Sequence, residues 1–215
     1  QPYTFTTLAD GKYLFNNLPP STSYVVQFDL PAHYRRSPVD ANSNANDATD
    51  SDASLVNGRS PATLLAPDEF NSTVDAGFVP LVTIGDYVWT DTDGDGVQDV
   101  AETGRNGVVV NLYDATNMAA ILKTTTTANN PVGGAAGYYQ FADLDAGSYV
   151  VEFVKPALVI FTKTDINSVA TTPVSTDAND SDADRFTGRT GTYTVTWGDS
   201  VQTIDAGVLL PAALG

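Results

Sequence analysis

The sequence predicts an all-β chain of antiparallel β-sandwiches set in tandem, the first lacking its N-terminal strands. Two observations carry that expectation. Short runs of β-branched and aromatic residues alternate with polar ones and end at turn residues, and no stretch holds a helical period for long. A block of motifs from the front of the chain also returns, in the same order, further along.

The repeat sets the domain organisation. Gly11-Lys12-Tyr13-Leu14-Phe15-Asn16-Asn17-Leu18 returns as Gly137-Tyr138-Tyr139-Gln140-Phe141-Ala142-Asp143-Leu144. Tyr24-Val25-Val26-Gln27-Phe28 returns as Tyr149-Val150-Val151-Glu152-Phe153. Asp47-Ala48-Thr49-Asp50-Ser51-Asp52-Ala53 matches Asp177-Ala178-Asn179-Asp180-Ser181-Asp182-Ala183, and Asp75-Ala76-Gly77 matches Asp205-Ala206-Gly207. Residues 1–80 and 81–215 are therefore read as two domains, joined at the apolar, proline-containing Val79-Pro80-Leu81. Nothing before Gly11 corresponds to Ile84-Gly85-Asp86-Tyr87-Val88-Trp89 or to the acidic loop after it, so the first domain lacks its opening strands. Either the chain is a piece of a longer tandem array or a neighbouring chain supplies the strand.

Within each copy the patterns are those of strands. Tyr149, Val151 and Phe153 alternate with Val150, Glu152 and Val154. Residues 108–113 and 192–197 are β-branched and aromatic, while Asn106-Gly107 and Asp145-Ala146-Gly147 supply turns. Together these describe small sandwiches of immunoglobulin-like type.

The charge is uneven. Formal net charge is -16, and 13 of the 26 acidic residues fall in three short loops, at residues 40–52, 91–102 and 177–184. An acidic surface repels nucleic acid and anionic lipid, so neither is an expected partner. No apolar run is long enough to span a membrane. The start, Gln1-Pro2-Tyr3-Thr4, does not resemble a signal peptide, which fits a leader already removed or an internal fragment. Cysteine is absent, so any stiffening is expected to come from something other than disulfides.

Carboxylates packed this closely repel unless a cation neutralises them, and their spacing suits one. Residues 91–102 fit the twelve-residue calcium loop D-x-[DN]-x-[DN]-G-x5-E at every specified position. Asp91, Asp93 and Asp95 would converge as the loop curls around Ca2+, and Gly96 permits the sharp turn. The Val97 carbonyl, Asp99 and Glu102 would complete the shell, with Glu102 bidentate. The flanks read as strands, so the site is static and not a helix-opening switch. Asp47, Asp50 and Asp52, and again Asp177, Asp180 and Asp182, place carboxylates within one turn of loop and are further calcium candidates. Asp40, Asn42, Asn44 and Asn46 read as a polar loop, while Asp75 and Asp205 suit either a calcium or a turn.

Catalytic constellations are missing. There is no cysteine and His33 is the only histidine, so histidine-based triads and multi-histidine metal sites cannot form. No P-loop, dinucleotide fingerprint or G-x-S-x-G occurs. Trp89 and Trp197 lie in strand patterns and are expected in the core, not on a sugar platform. The chain is not expected to be an enzyme.

Several motifs lie in register: Ile84 to Trp89, the loop at 91–102, residues 107–114, Gly137-Tyr138-Tyr139-Gln140-Phe141, Asp180-Ser181-Asp182-Ala183 and Asp205-Ala206-Gly207. Together they resemble the B-repeats of the serine-aspartate-repeat surface adhesins of Gram-positive bacteria, the SdrD B-like domains. The resemblance implies a Cna-B-type, prealbumin-like sandwich with several bound Ca2+ ions, serving as an extracellular stalk. It carries Asp91, Asp93, Asp95, Asp99 and Glu102, with Asp177, Asp180 and Asp182, into a calcium role. Some relatives carry a Lys–Asn isopeptide bond whose lysine lies on the first strand. Residues 84–89 contain no lysine, and no such bond is expected.

The expected function is that of a calcium-stabilised spacer in a secreted or cell-surface protein, with calcium and neighbouring repeats or subunits as partners. The alternatives are a self-assembling fibre or surface-layer subunit completed by strand donation, and a carbohydrate- or protein-binding adhesin module.

Overall fold

In the computed structural model, residues 3–39, 50–164 and 179–211 are described, and none of them is helical. The chain divides into two compact units, Gln1–Phe78 and Val79–Gly215. Asp47 and Asp177, and with them Asp40, Asn42, Asn44 and Asn46, lie outside the described residues.

The first unit contains short strands, the last of which begins at its final residue, Phe78. Strand β1 (Thr22–Tyr24) pairs antiparallel with β3 (Thr63–Leu65), and β2 (Tyr34–Arg36) pairs with β4 (Phe78–Pro80). Its aromatic centre is Tyr13, which packs edge-on against Phe28 and Phe15 at 5.5 and 5.7 Å between ring centroids.

The second unit is a two-layer sandwich. One sheet has four strands in the order β12 (Tyr193–Val195), β10 (Gly147–Phe153), β7 (Val109–Asp114) and β8 (Lys123–Thr126). The other is organised around the nine-residue β5 (Val82–Thr90). On β5, β9 (Tyr138–Leu144) and β6 (Thr103–Gly104) pair antiparallel, whereas β13 (Ser200–Gln202) and β14 (Ala206–Leu209) pair parallel. Strand β11 (Ile160–Phe161) closes the edge beside β14. The sandwich is therefore not wholly antiparallel. A parallel pair joins segments far apart in sequence and leaves no hairpin turn to announce it.

Alternation places the core. Val82, Ile84 and Val88 of β5, Val110 and Leu112 of β7, Tyr139 and Phe141 of β9, and Val151 and Phe153 of β10 enter one buried cluster from both layers. Trp89 is fully buried, as its strand pattern predicts. Gly207 makes room for it, since a Cβ there would meet the indole Cζ2 at 2.8 Å. Trp197 departs from expectation. It lies past the end of β12 and remains 39 % exposed, because the strand stops at Val195 and a turn follows at Gly198.

Candidate metal centre

Residues 91–102 leave the end of β5 and return to the sheet at β6. Asp91, at the strand end, is buried, while Asp93 and Asp95 are exposed. One carboxylate oxygen from each of Asp91, Asp93 and Asp95 lies within 4.8 Å of the others. Local hydrogen bonding explains the curl. Asp91 Oδ1 accepts the Gly94 amide at 2.6 Å and Oδ2 accepts the Gly96 amide at 3.0 Å. Both glycines have positive φ, at 76° and 94°, which β-carbon-bearing residues rarely adopt. Asp93 and Asp95 in turn accept the amides of Asp95 and Val97, at 3.2 and 2.7 Å.

Thr162, just after β11, donates its hydroxyl to Asp91 Oδ2. Burial opposes the charge on Asp91, but the hydrogen bonds from Thr162, Gly94 and Gly96 outweigh it and hold the carboxyl below its ordinary range. Asp99 is pushed the other way, by loss of hydration and by the negative charges of Asp95, Asp93, Glu102 and Asp91. Such mutual repulsion is what a cation would relieve.

Asp99 and Glu102 stand apart from the converging trio. The Glu102 carboxylate accepts the amides of Thr92 and Asp99 and the Thr92 hydroxyl, and so caps the loop's own backbone. Val97 contributes through its backbone. It forms an antiparallel bridge with Asp180, flanked by the Gln98 amide on the Asn179 carbonyl at 2.6 Å and the Ser181 amide on the Gly96 carbonyl at 3.2 Å. The calcium-type loop and the second Asp-rich loop are thus joined along their backbones.

Asp180, Asp182 and Asp205 are all essentially buried. Asp182 acts as a brace: Oδ1 accepts the Tyr193 hydroxyl and Oδ2 accepts the Asp205 amide at 2.6 Å. Asp205 Oδ1 accepts the Tyr87 amide of β5 at 3.1 Å, which ties the closing strand to the opening one. The first unit repeats the brace, with the Asp75 amide on Asp52 Oδ2 at 2.7 Å. Asp50 is half-buried nearby in sequence, at the edge of the described segment. Among the described residues, Asp91, Asp93 and Asp95 form the one group of three acidic side chains with ligand atoms this close. Their donors are hard carboxylate oxygens on a glycine-hinged loop, which fits Ca2+. Sequence reasoning missed Thr162, since a lone threonine 71 positions from Asp91 carries no local signal.

The architecture defines a tandem, immunoglobulin-like β-sandwich protein with Asp-rich loops at the sheet ends. The chain belongs to the SdrD B-like domain family, whose pattern matches residues 1–78 and again residues 82–208. It is 36 % identical over 209 residues to serine-aspartate repeat-containing protein D of Staphylococcus aureus strain MW2, covering 92 % of this chain and 14 % of that protein. It is likewise 36 % identical over 201 residues to serine-aspartate repeat-containing protein F of Staphylococcus epidermidis strain ATCC 12228, covering 89 % of this chain and 11 % of that protein. The chain thus spans a small part of the length of these relatives. Domains of this family are structural and not enzymatic, and the chain is not an enzyme.

Proposed function

We propose that this chain is a calcium-stabilised spacer segment of an extracellular bacterial surface protein, part of a stalk that projects another domain. The convergence of Asp91, Asp93 and Asp95 within 4.8 Å carries the calcium reading. The stalk reading rests on two family matches in tandem and on relatives far longer than this chain.

In this reading Asp91, Asp93 and Asp95 hold Ca2+, with Asp99, Glu102 and the Val97 carbonyl available from the same loop. Calcium supplies positive charge that removes carboxylate repulsion. The residues themselves set the loop shape: Gly94 and Gly96 turn it, Thr162 orients Asp91, and Val97 carries its order to Asp180. Asp180 and Asp182, with Asp205 beside them, and Asp50 and Asp52 in the first unit, are candidates for further ions. Asp47 and Asp177 remain candidates from their spacing alone. Extracellular calcium modules bind at roughly 10⁻⁴–10⁻³ M, so 1 mM calcium adds on the order of 0.4–1.4 kcal/mol per site.

The test is thermal unfolding in millimolar calcium against excess chelator, with bound calcium counted by elemental analysis. A large fall in Tm on chelation, with at least one calcium per chain, supports the reading. Unchanged Tm and no bound calcium defeat it.

A further inference from the structure

Phe186 is 90 % exposed, yet it stands on a turn whose backbone is locked. The Asp184 carboxylate accepts the Phe186 and Thr187 amides at 3.1 and 2.8 Å, and the Gly188 amide closes the turn on the Asp184 carbonyl at 2.8 Å. Gly188 has a φ of 72°, and a Cβ there would meet the Phe153 carbonyl and the Phe161 ring. The first unit builds the same turn from other side chains. The Gly58 amide, at a φ of 69°, closes on the Ser54 carbonyl, and the Phe28 amide donates to Gly58 as Phe153 does to Gly188. Val56 then stands 91 % exposed at the matching place. Both units thus hold an apolar side chain outward on a fixed turn, where it is covered by nothing in its own unit.

In the second unit cations gather around this turn. Residues 79–215 carry 17 acidic side chains and six basic ones. Four of the six, Lys155, Lys163, Arg185 and Arg189, fall in the short segments 153–164 and 183–190, which contain one acid, Asp184. Main-chain contacts hold the two segments side by side. The Phe153 amide reaches the Gly188 carbonyl at 2.8 Å, and the Thr164 hydroxyl reaches the Ala183 carbonyl at 2.8 Å. Arg189 is engaged by Glu152. Lys155, Lys163 and Arg185 are exposed, and among the described residues none of them sits in an ion pair. Leu158, 85 % exposed, stands on the turn between the two lysines. An aromatic anchor, a second apolar side chain and a rim of unpaired cations make the composition of a binding surface.

We propose that this surface docks an acidic segment of a partner protein, a peptide with carboxylates on either side of an apolar side chain. Charge complementarity selects the occupant. The carboxylates pair with Lys155, Lys163 and Arg185, while the apolar side chain covers Phe186 and Leu158. The rest of the unit restricts the choice. A broad anionic surface such as a lipid bilayer would also meet the acidic residues around the patch and be repelled. A polyanionic glycan has no apolar group to cover Phe186. The role is additional to spacing and independent of the calcium reading, because no residue of the loop at 91–102 takes part.

The test pans the full chain against a displayed library of random peptides about twelve residues long, then measures the selected peptides by fluorescence anisotropy. Selection should converge on peptides rich in aspartate and glutamate that carry a leucine or an aromatic residue. Phe186→Ser should weaken their binding about tenfold or more. The pair Lys155→Gln and Arg185→Gln should weaken it to a similar degree and remove most of its salt dependence. All three changes fall on exposed side chains and should leave Tm unmoved, which separates lost binding from lost folding. Vesicles of phosphatidylglycerol and heparin serve as the rival anions. Failure to select any peptide, selected peptides without acidic residues, or equal binding by the parent and both variants would overturn the proposal. So would patch-dependent binding of the vesicles or heparin in place of peptide.

Discussion

Val97 forms an antiparallel bridge with Asp180, and this pairing joins two acidic loops that are separate motifs in the sequence. The Gln98–Asn179 and Ser181–Gly96 hydrogen bonds extend the pairing on either side of it.

Calcium should accordingly raise amide protection at Ser181 as well as in residues 91–102. Asp95→Ala, which removes the ligand oxygen altogether, tests the link at an exposed position. In chelator the variant should stay within ~0.5 kcal/mol of the parent. In 1 mM calcium it should lose ~0.4–1.4 kcal/mol, the metal's stabilisation at one site, and both loops should lose their protection together. Denaturant unfolding with and without calcium, paired with hydrogen exchange, measures this.

Trp89 fills the notch that Gly207 leaves. Trp89→Ala should destabilise the second unit by ~3–5 kcal/mol, through lost burial and a cavity. Gly207→Val should also be strongly destabilising, because its branches would meet both Trp89 and Thr162. Urea unfolding of each variant checks both.

Burial pushes the Asp86 carboxyl up from 3.8 to about 6. The folded state therefore holds the neutral acid better than the unfolded chain does. The stability this gives is complete below about pH 4 and is lost as pH rises through about 6. Asp86→Asn should remove that dependence and raise stability at pH 7 by ~1 kcal/mol, a figure reduced for the residue's partial exposure. Stability measured from pH 4 to 8 for both chains decides it.

Glu152 has the opposite sign. Burial works against its charge, but Tyr113 donates to it at 2.7 Å, Asn111 at 3.1 Å and Arg189 at 2.8 Å, and together they hold its carboxyl below 4.5. Arg189 also lies 5.0 Å from the Tyr113 ring centre. The contribution is present above the unfolded carboxylate range and disappears as pH falls through the lowered value. Glu152→Gln should cost ~1–2 kcal/mol at pH 7 and progressively less in acid, read from the same denaturation series.

Much of this was legible in the residues. The alternation of Tyr149, Val151 and Phe153 placed β10 and its buried face, and Asn106-Gly107 marked the turn before β7. The spacing of Asp91, Asp93 and Asp95 foretold their convergence, because Gly94 and Gly96 let one short loop close on itself. Such features depend on neighbours a few positions apart. The amides of Thr92 and Asp99 on the Glu102 carboxylate were not legible, because they depend on how the loop closes. Trp197 was placed in the core on the strength of a strand that ends too early to bury it.

By itself the sequence determined that this protein is a repeated β-sandwich of the SdrD B-like family, with acidic loops at set positions. Period-two alternation, turn residues and repeated motifs are local properties of the chain. Only the tertiary structure decided that β13 and β14 run parallel to β5, that Thr162 orients Asp91, that Val97 pairs with Asp180, and that Asp182 and Asp205 brace the closing strand. Each of these joins residues distant in sequence, and which distant groups meet is set by how the whole core packs.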